Sequence, residues 1–197
     1  MTFDAITPDR VPALLRAMPK AELHIHIEGS LEPELIFRLA QRNGIALPYP
    51  SVAALRAAYA FTDLQSFLDV YYAGASVLVC EDDFFDMGMA YFARAAADRV
   101  VHAELFFDPQ THTGRGVAFA TVIGGLSRAC ARATAAYGID ASLIMCFLRH
   151  LSEAAAHGGN GLAAGRAVND ELADHRIVAR GNHASLVRVR VEAHAGA

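Results

Sequence analysis

The chain has 197 residues, 54% hydrophobic and 19% charged, with a formal net charge of −4. Its 11 Phe and 6 Tyr, among many Leu, Ile and Val, supply the burial a packed core needs and exclude a largely disordered chain. With 17 basic against 21 acidic side chains there is no cationic footprint for nucleic acid. No run approaches the roughly 18 apolar residues of a membrane span. Cys80, Cys130 and Cys146 are too few and too widely spaced for a disulfide framework. The first twenty residues carry acids and prolines instead of the basic start and apolar stretch of a secretory signal, so a cytoplasmic location is expected.

In chain order, Thr7 and Pro8 predict the cap and first turn of a short helix running to about Met18. Alternation over Ala21–Glu28 predicts a strand. Ser30, Glu32 and Pro33 then open a helix, Glu34–Arg42, which Asn43 and Gly44 stop. Residues 51–80 place Leu55, Tyr59, Leu64, Phe67, Leu68 and Tyr71 at near-helical spacing and predict helix throughout. Asp82–Asp98 is the next helix, with acids in its first turn. Val100–Phe107 predicts a second strand, Val117–Tyr137 a helix closed by Gly138, and the apolar run Ala141–Leu148 a third strand. Near-continuous apolar strands suit parallel sheets buried on both faces, and strands separated by long helices imply βαβ units and an α/β fold.

Past residue 153 the pattern changes. No aromatic residue follows Phe147, residues 157–165 are glycine-rich, and only Val187–Val191 alternates like a strand. Residues 1–153 are therefore expected to form one (β/α) unit and 154–197 an irregular tail. That tail is either a loop with an edge hairpin or a sequence for which the fold was not built.

The chemistry concentrates in Glu22-Leu23-His24-Ile25-His26-Ile27-Glu28-Gly29-Ser30. On a strand, side chains two apart share a face, so His24, His26 and Glu28 are expected together, with Leu23, Ile25 and Ile27 packed on helices behind. Two imidazoles so placed can converge on one first-row metal ion, and neutral imidazole suits zinc, iron or nickel. The alternative is two unrelated histidines in a core strand.

PKAELHIHIEGSLEPEL resembles the first-strand signature of the adenosine/adenine deaminase family, which are zinc-dependent (β/α)8-barrel hydrolases. FTDLQSFLDVYY (61–72), VVHAELFFDPQTHTGRG (100–116) and LIMCFLRHLSE (143–153) resemble the family's successive segments, so the likeness is colinear over about residues 18–153. It implies the N-terminal part of a TIM (β/α)8 barrel and hydrolysis of a purine 6-amino group, giving hypoxanthine and ammonia. Glu28, standing where the adenosine enzymes carry Asp, and the FFDPQTHT segment are similar to the adenine-specific bacterial branch. The resemblance makes His24 and His26 the first two zinc ligands. It makes Glu28 either a wall of the purine pocket or a group that orients a zinc histidine. Asp108 and His112 fall just past a strand's carboxyl end, where barrel sites assemble, although Asp-Pro also starts turns and His112 could lie on the surface. Phe61, Leu64 and Phe67 resemble an apolar helix over the pocket mouth; as a bare pattern such a stripe is core. Arg149 and His150 end the third strand, and Cys146 reads as an inert core residue.

The family takes a third zinc histidine from a His-Ala-Gly-Glu motif whose Glu donates the proton. Here His194, Ala195 and Gly196 match its first three positions, and Ala197 stands at the place of the Glu. His194 is thus the expected third metal residue, and no catalytic proton donor is assigned. A barrel of this type needs about 250 residues, so the expectation is a truncated or disrupted deaminase, a frameshifted or internally deleted gene product that is inactive by itself. Its open parallel edge and bare inner face would favour self-association. The competing expectations are a barrel fragment kept as a binding or oligomerising module, and an enzyme acting on adenosine. A small purine is the expected partner in the first and last cases.

Overall fold

A computed structural model describes residues 7–146, Leu148 and the strand 186–190. Among these residues one sheet holds the strands β1 (Lys20–His26), β2 (Val100–Phe107), β3 (Asp140–Cys146) and β4 (Leu186–Arg190), in that order. A 3-10 turn (Pro8–Arg10) and helix α1 (Val11–Ala17) precede β1, in place of one continuous helix. Between β1 and β2 lie a 3-10 turn (Ile27–Ser30), α2 (Pro33–Asn43), α3 (Val52–Ala58), α4 (Leu64–Ala75) and α5 (Glu81–Ala97). Between β2 and β3 lie α6 (Pro109–Thr113) and α7 (Phe119–Tyr137).

β1 pairs with β2 and β2 with β3, both in parallel. Leu105, Phe107, Leu143 and Met145 point from the sheet into the main core, against Phe84, Met87 and Phe92 of α5 and Val122, Leu126 and Ala129 of α7. Full burial of each such side chain contributes about 1.5–3 kcal/mol. The opposite face carries a separate small cluster, Phe106, Ile144 and Cys146. Parallel strands with connecting helices on one face and the strand ends free on the other make this the expected incomplete portion of a (β/α)8 barrel, with Phe106, Ile144 and Cys146 on its inner side.

Local chemistry explains the element ends. Gly44 stops α2 in the left-handed conformation, at φ 64°, a geometry that carries no Cβ penalty only for glycine. Residues 51–80 are not one helix. Asp63 accepts the Ser66 N–H at 2.8 Å while the Ser66 hydroxyl answers the Asp63 N–H, a reciprocal cap that starts α4 afresh. Helices α5 and α7 meet at backbone distance: a Cβ on Gly125 would sit 2.3 Å from the Glu81 carbonyl oxygen, and one on Gly88 would sit 2.6 Å from Ala129 Cβ.

Two edge features depart from expectation. The β3 edge is not open, because β4 pairs with it antiparallel from Cys146↔Leu186 to Ser142↔Arg190. Leu23, expected to pack on helices, is 58% exposed.

Candidate active site

The carboxyl end of β1 carries the two histidines, and its register explains how they are presented. Glu22 pairs with Ala103 and Ile25 with Leu105, so Leu23 and His24 together face the single residue Glu104. Such a bulge re-aims side chains at a sheet end. It breaks the strict alternation expected from the sequence and accounts for the exposure of Leu23. The His24 ring lies 4.1 Å from the Phe106 ring at an interplanar angle of 10°, and the His24 and His26 ring centroids are 5.6 Å apart. A tetrahedral zinc bound through one nitrogen of each imidazole would hold the two centroids roughly 5 Å apart. The donor set and spacing therefore fit a metal of this class.

The strand ends at His26, so Glu28 does not continue the histidine face. It lies in the 3-10 turn and is buried, and its carboxylate is the centre of a polar cluster. Glu28 Oε1 accepts the Asp108 backbone N–H at 3.0 Å and the His112 Nε2–H at 3.1 Å. The tautomer follows from Arg115, whose Nη2 lies 3.0 Å from His112 Nδ1. A guanidinium only donates, so Nδ1 accepts and Nε2 carries the proton. Arg115 also donates to the carbonyls of Ala75, Ser76 and Leu78, each at 3.0 Å, which ties the end of α4 to α6.

Tyr71 of α4 connects this cluster to the histidines. Its hydroxyl lies 3.3 Å from Glu28 Oε2 and 3.1 Å from Asp108 Oδ2, sharing one proton between two carboxylates. Burial, then the charges of Glu28 and Asp108, push its pKa well above the ordinary tyrosine value, so the hydroxyl remains a donor. Asp108 Oδ2 in turn accepts from His26 Nδ1 at 3.2 Å. That hydrogen bond raises the His26 pKa first of all; burial opposes it, and the charges of Asp108 and Glu28 add to it. A hydrogen-bonded path thus runs from Arg115 through buried His112 and Glu28, then Tyr71 and Asp108, to His26, leaving His26 Nε2 directed away from the carboxylate.

Of the residues singled out in the sequence, His24, His26, Glu28, Asp108 and His112 come together at the strand ends. Glu28 is not a free carboxylate facing a ligand, and His112 is buried in α6, neither in a simple turn nor on the surface. Phe61, Leu64 and Phe67 are 40%, 71% and 39% exposed and are not core; Phe61 packs edge-on against Phe67 at 5.2 Å. With Tyr59, Tyr71 and Gly29 the two phenylalanines line a small pocket beside Glu28. His150, Arg149, His194 and Ala197 lie outside the described residues, as does most of the expected tail, 154–197.

Sequence reasoning did not single out Tyr71, which stood in an apolar stripe, or Arg115, which stood in a glycine-rich turn. It also passed over Gln110. Gln110 Oε1 accepts the Leu148 N–H at 2.6 Å, while its Nε2 is buried without a hydrogen-bond partner among the described residues.

The family model described as adenosine deaminase matches residues 19–180. An adenine deaminase of Cupriavidus pinatubonensis is 69% identical over 153 residues, covering 78% of this chain and 42% of that protein. An adenine deaminase of Trichlorobacter lovleyi is 56% identical over an alignment of 209 positions, covering 100% of this chain and 59% of that protein. The chain thus spans about half the length of the curated relatives it matches. Among solved structures, an adenine deaminase from Arthrobacter aurescens superposes with a TM-score of 0.71 at 52% identity, over 80% of this chain and 46% of that one. An amidohydrolase from Burkholderia ambifaria with bound zinc gives a TM-score of 0.68 at 27% identity, over 89% of this chain and 45% of that one.

Proposed function

Because the chain belongs to the adenosine deaminase family, we propose that its site holds a zinc ion at His24 and His26 and serves the hydrolysis of adenine to hypoxanthine and ammonia. One observation carries the reading: two imidazoles 5.6 Å apart at a strand's carboxyl end, one of them anchored through Nδ1 to a carboxylate. The zinc bound by the Burkholderia ambifaria amidohydrolase supports the choice of metal, and the adenine deaminase relatives at 56–69% identity support the choice of base. When bound, zinc makes hydroxide available near neutral pH and so supplies the nucleophile.

The chain's own residues have defined tasks in this reading. Asp108 holds His26 in the tautomer that presents Nε2. Glu28, with both oxygens engaged, positions Asp108, His112 and Tyr71 and does not fill the space of a ribose. Phe61, Phe67, Tyr59 and Tyr71 offer ring faces and edges to a flat base. The absence of a disulfide at Cys80, Cys130 and Cys146 supports a cytoplasmic location, and no helix among the described residues is long and apolar enough to cross a membrane.

The antiparallel seat of β4 favours a second reading, since a closed barrel of this class places a parallel strand at that edge. In it the chain binds metal and base without turnover, as a fragment. Ammonia release from adenine and adenosine by the zinc-loaded chain separates the two, together with zinc retention by His26→Ala. Release from adenine, abolished in H26A, supports the deaminase. Zinc and adenine binding without release supports the fragment. Zinc retention undiminished in H26A overturns both.

A further inference from the structure

We propose that Arg115 is a positioning residue for base binding: its guanidinium fixes one wall of the pocket beside Glu28 and the Glu28 carboxylate as a single body. Losing it weakens the hold on the base and leaves the metal affinity in place. The inference rests on the reading that this pocket takes adenine.

Helix α4 supplies that wall, through Phe67, Val70, Tyr71 and Gly74. Its own packing is thin. Val70, Gly74 and Ala75 are its buried residues, while Leu64, Phe67 and Tyr72 are exposed. Its first turn is capped locally by Asp63 and Ser66. Gly74 is the point at which α4 seats on α2, where an added Cβ would lie 3.1 Å from Ile36 Cδ1. Just beyond lie the last carbonyls of the helix, which have no partner within it and form the negative end of its dipole. Arg115 meets them there. Its Nη1 donates to the Ser76 carbonyl, and its Nη2 to those of Ala75 and Leu78.

The guanidinium is itself held flat by its Nε, which donates to the Thr111 carbonyl at 3.1 Å. Its Nη2 also reaches His112 Nδ1, and His112 passes the restraint to Glu28, which lines the same pocket. Tyr71 closes the ring, because it belongs to α4 and its hydroxyl lies on Glu28 Oε2. The contacts thus form a cycle: Arg115, the end of α4, Tyr71, Glu28, His112 and back to Arg115. Within such a cycle α4 cannot slide along the pocket without breaking a charge-assisted bond. A lysine ammonium, a point charge on one stem, does not span Thr111, the α4 carbonyls and His112 in one plane.

The test uses the full 197-residue chain loaded with zinc and reads adenine binding by equilibrium dialysis, so no turnover is required. Adenine affinity is expected to fall at least about tenfold in Arg115→Gln, the order of one charge-assisted hydrogen bond, while zinc affinity holds. Where turnover is read, the same loss shows as a raised KM at unchanged kcat. Gly125→Ala, which strains the α5–α7 contact away from the pocket, is expected to lower stability and keep adenine affinity. Arg115 is exposed on its outer side, so millimolar guanidinium is expected to restore adenine binding to Arg115→Ala, and ammonium is not. Unchanged adenine affinity in R115Q would overturn Arg115 as a positioning residue and leave the pocket reading intact. An equal loss in G125A, or a parallel loss of zinc affinity in R115Q, overturns it too. No adenine bound by the unmodified zinc-loaded chain overturns the pocket reading itself, and this inference with it.

Discussion

Arg115 Nη2 donates to His112 Nδ1 across 3.0 Å, and this bond sets the polarity of the polar cluster behind the histidines. Because the guanidinium cannot accept, His112 must present Nε2–H to Glu28. Nitrogen-15 correlation spectra of the imidazole are expected to show a protonated Nε2 and a bare Nδ1; the opposite tautomer would contradict the bond as drawn. Arg115→Lys loses the planar fork that reaches the Ala75, Ser76 and Leu78 carbonyls. It is expected to cost about 2–3 kcal/mol in urea unfolding.

Tyr71→Phe removes one oxygen and leaves Glu28 and Asp108 without their shared donor. Unfolding free energy should fall by about 1–3 kcal/mol. Zinc affinity should fall by up to about tenfold, as Asp108, the partner of His26, loses the hydroxyl that fixes it. Stability and affinity both unchanged in Y71F would remove Tyr71 from the positioning path.

Asp83 predicts an acid limit to stability away from the site. Its burial works to raise its pKa, but the N–H groups of Cys80 and Val79 and the Arg42 guanidinium overcome this and hold it below the ordinary aspartate value. A depressed folded pKa stabilises the fold above the unfolded value of about 3.9, and the contribution is lost as pH falls through the folded pKa. Asp83→Asn should therefore cost roughly 3 kcal/mol at pH 7 and progressively less in acid. A cost independent of pH would rule out the charge as its origin.

Gly125→Ala should destabilise the α5–α7 contact. The new methyl would meet the Glu81 carbonyl and Phe84 Cβ, both backbone-bound and unable to rotate away. A loss of about 1–3 kcal/mol in thermal unfolding is expected. A neutral G125A, despite its gain in helix propensity, would mean that the helices are further apart than described.

The legible parts of this protein were the local ones. β2 follows the sequence signals to the residue, and β3 and the long helices α2, α5 and α7 follow them within a few residues, because periodicity and caps are set by near neighbours. The helical stripe of 51–80 hid a break because Ser66 fills the role usually held by Glu or Gln in a capping box. His24 and His26 stood out through their spacing. The bulge that turns them depends on the register of β2, nearly eighty residues away, and has no signature in β1 itself. Tyr71 and Arg115 were invisible as site residues for the same reason. Their partners Glu28 and Ser76 are 43 and 39 positions distant, and only the packing of α4 and α6 on the strand ends brings them together.

The antiparallel seat of β4 has a kinetic consequence. A strand edge offers one row of amides and carbonyls, and on β3 that row is engaged from Ser142 to Cys146. Extending the sheet with a further parallel strand is therefore a displacement reaction, in which the incoming strand must first peel away Leu186–Arg190. Its rate is governed by how fast this short segment lifts off, and encounter with the edge is secondary. β4 thus covers a stretch of β3 edge that would otherwise present unpaired amides and carbonyls to any passing strand.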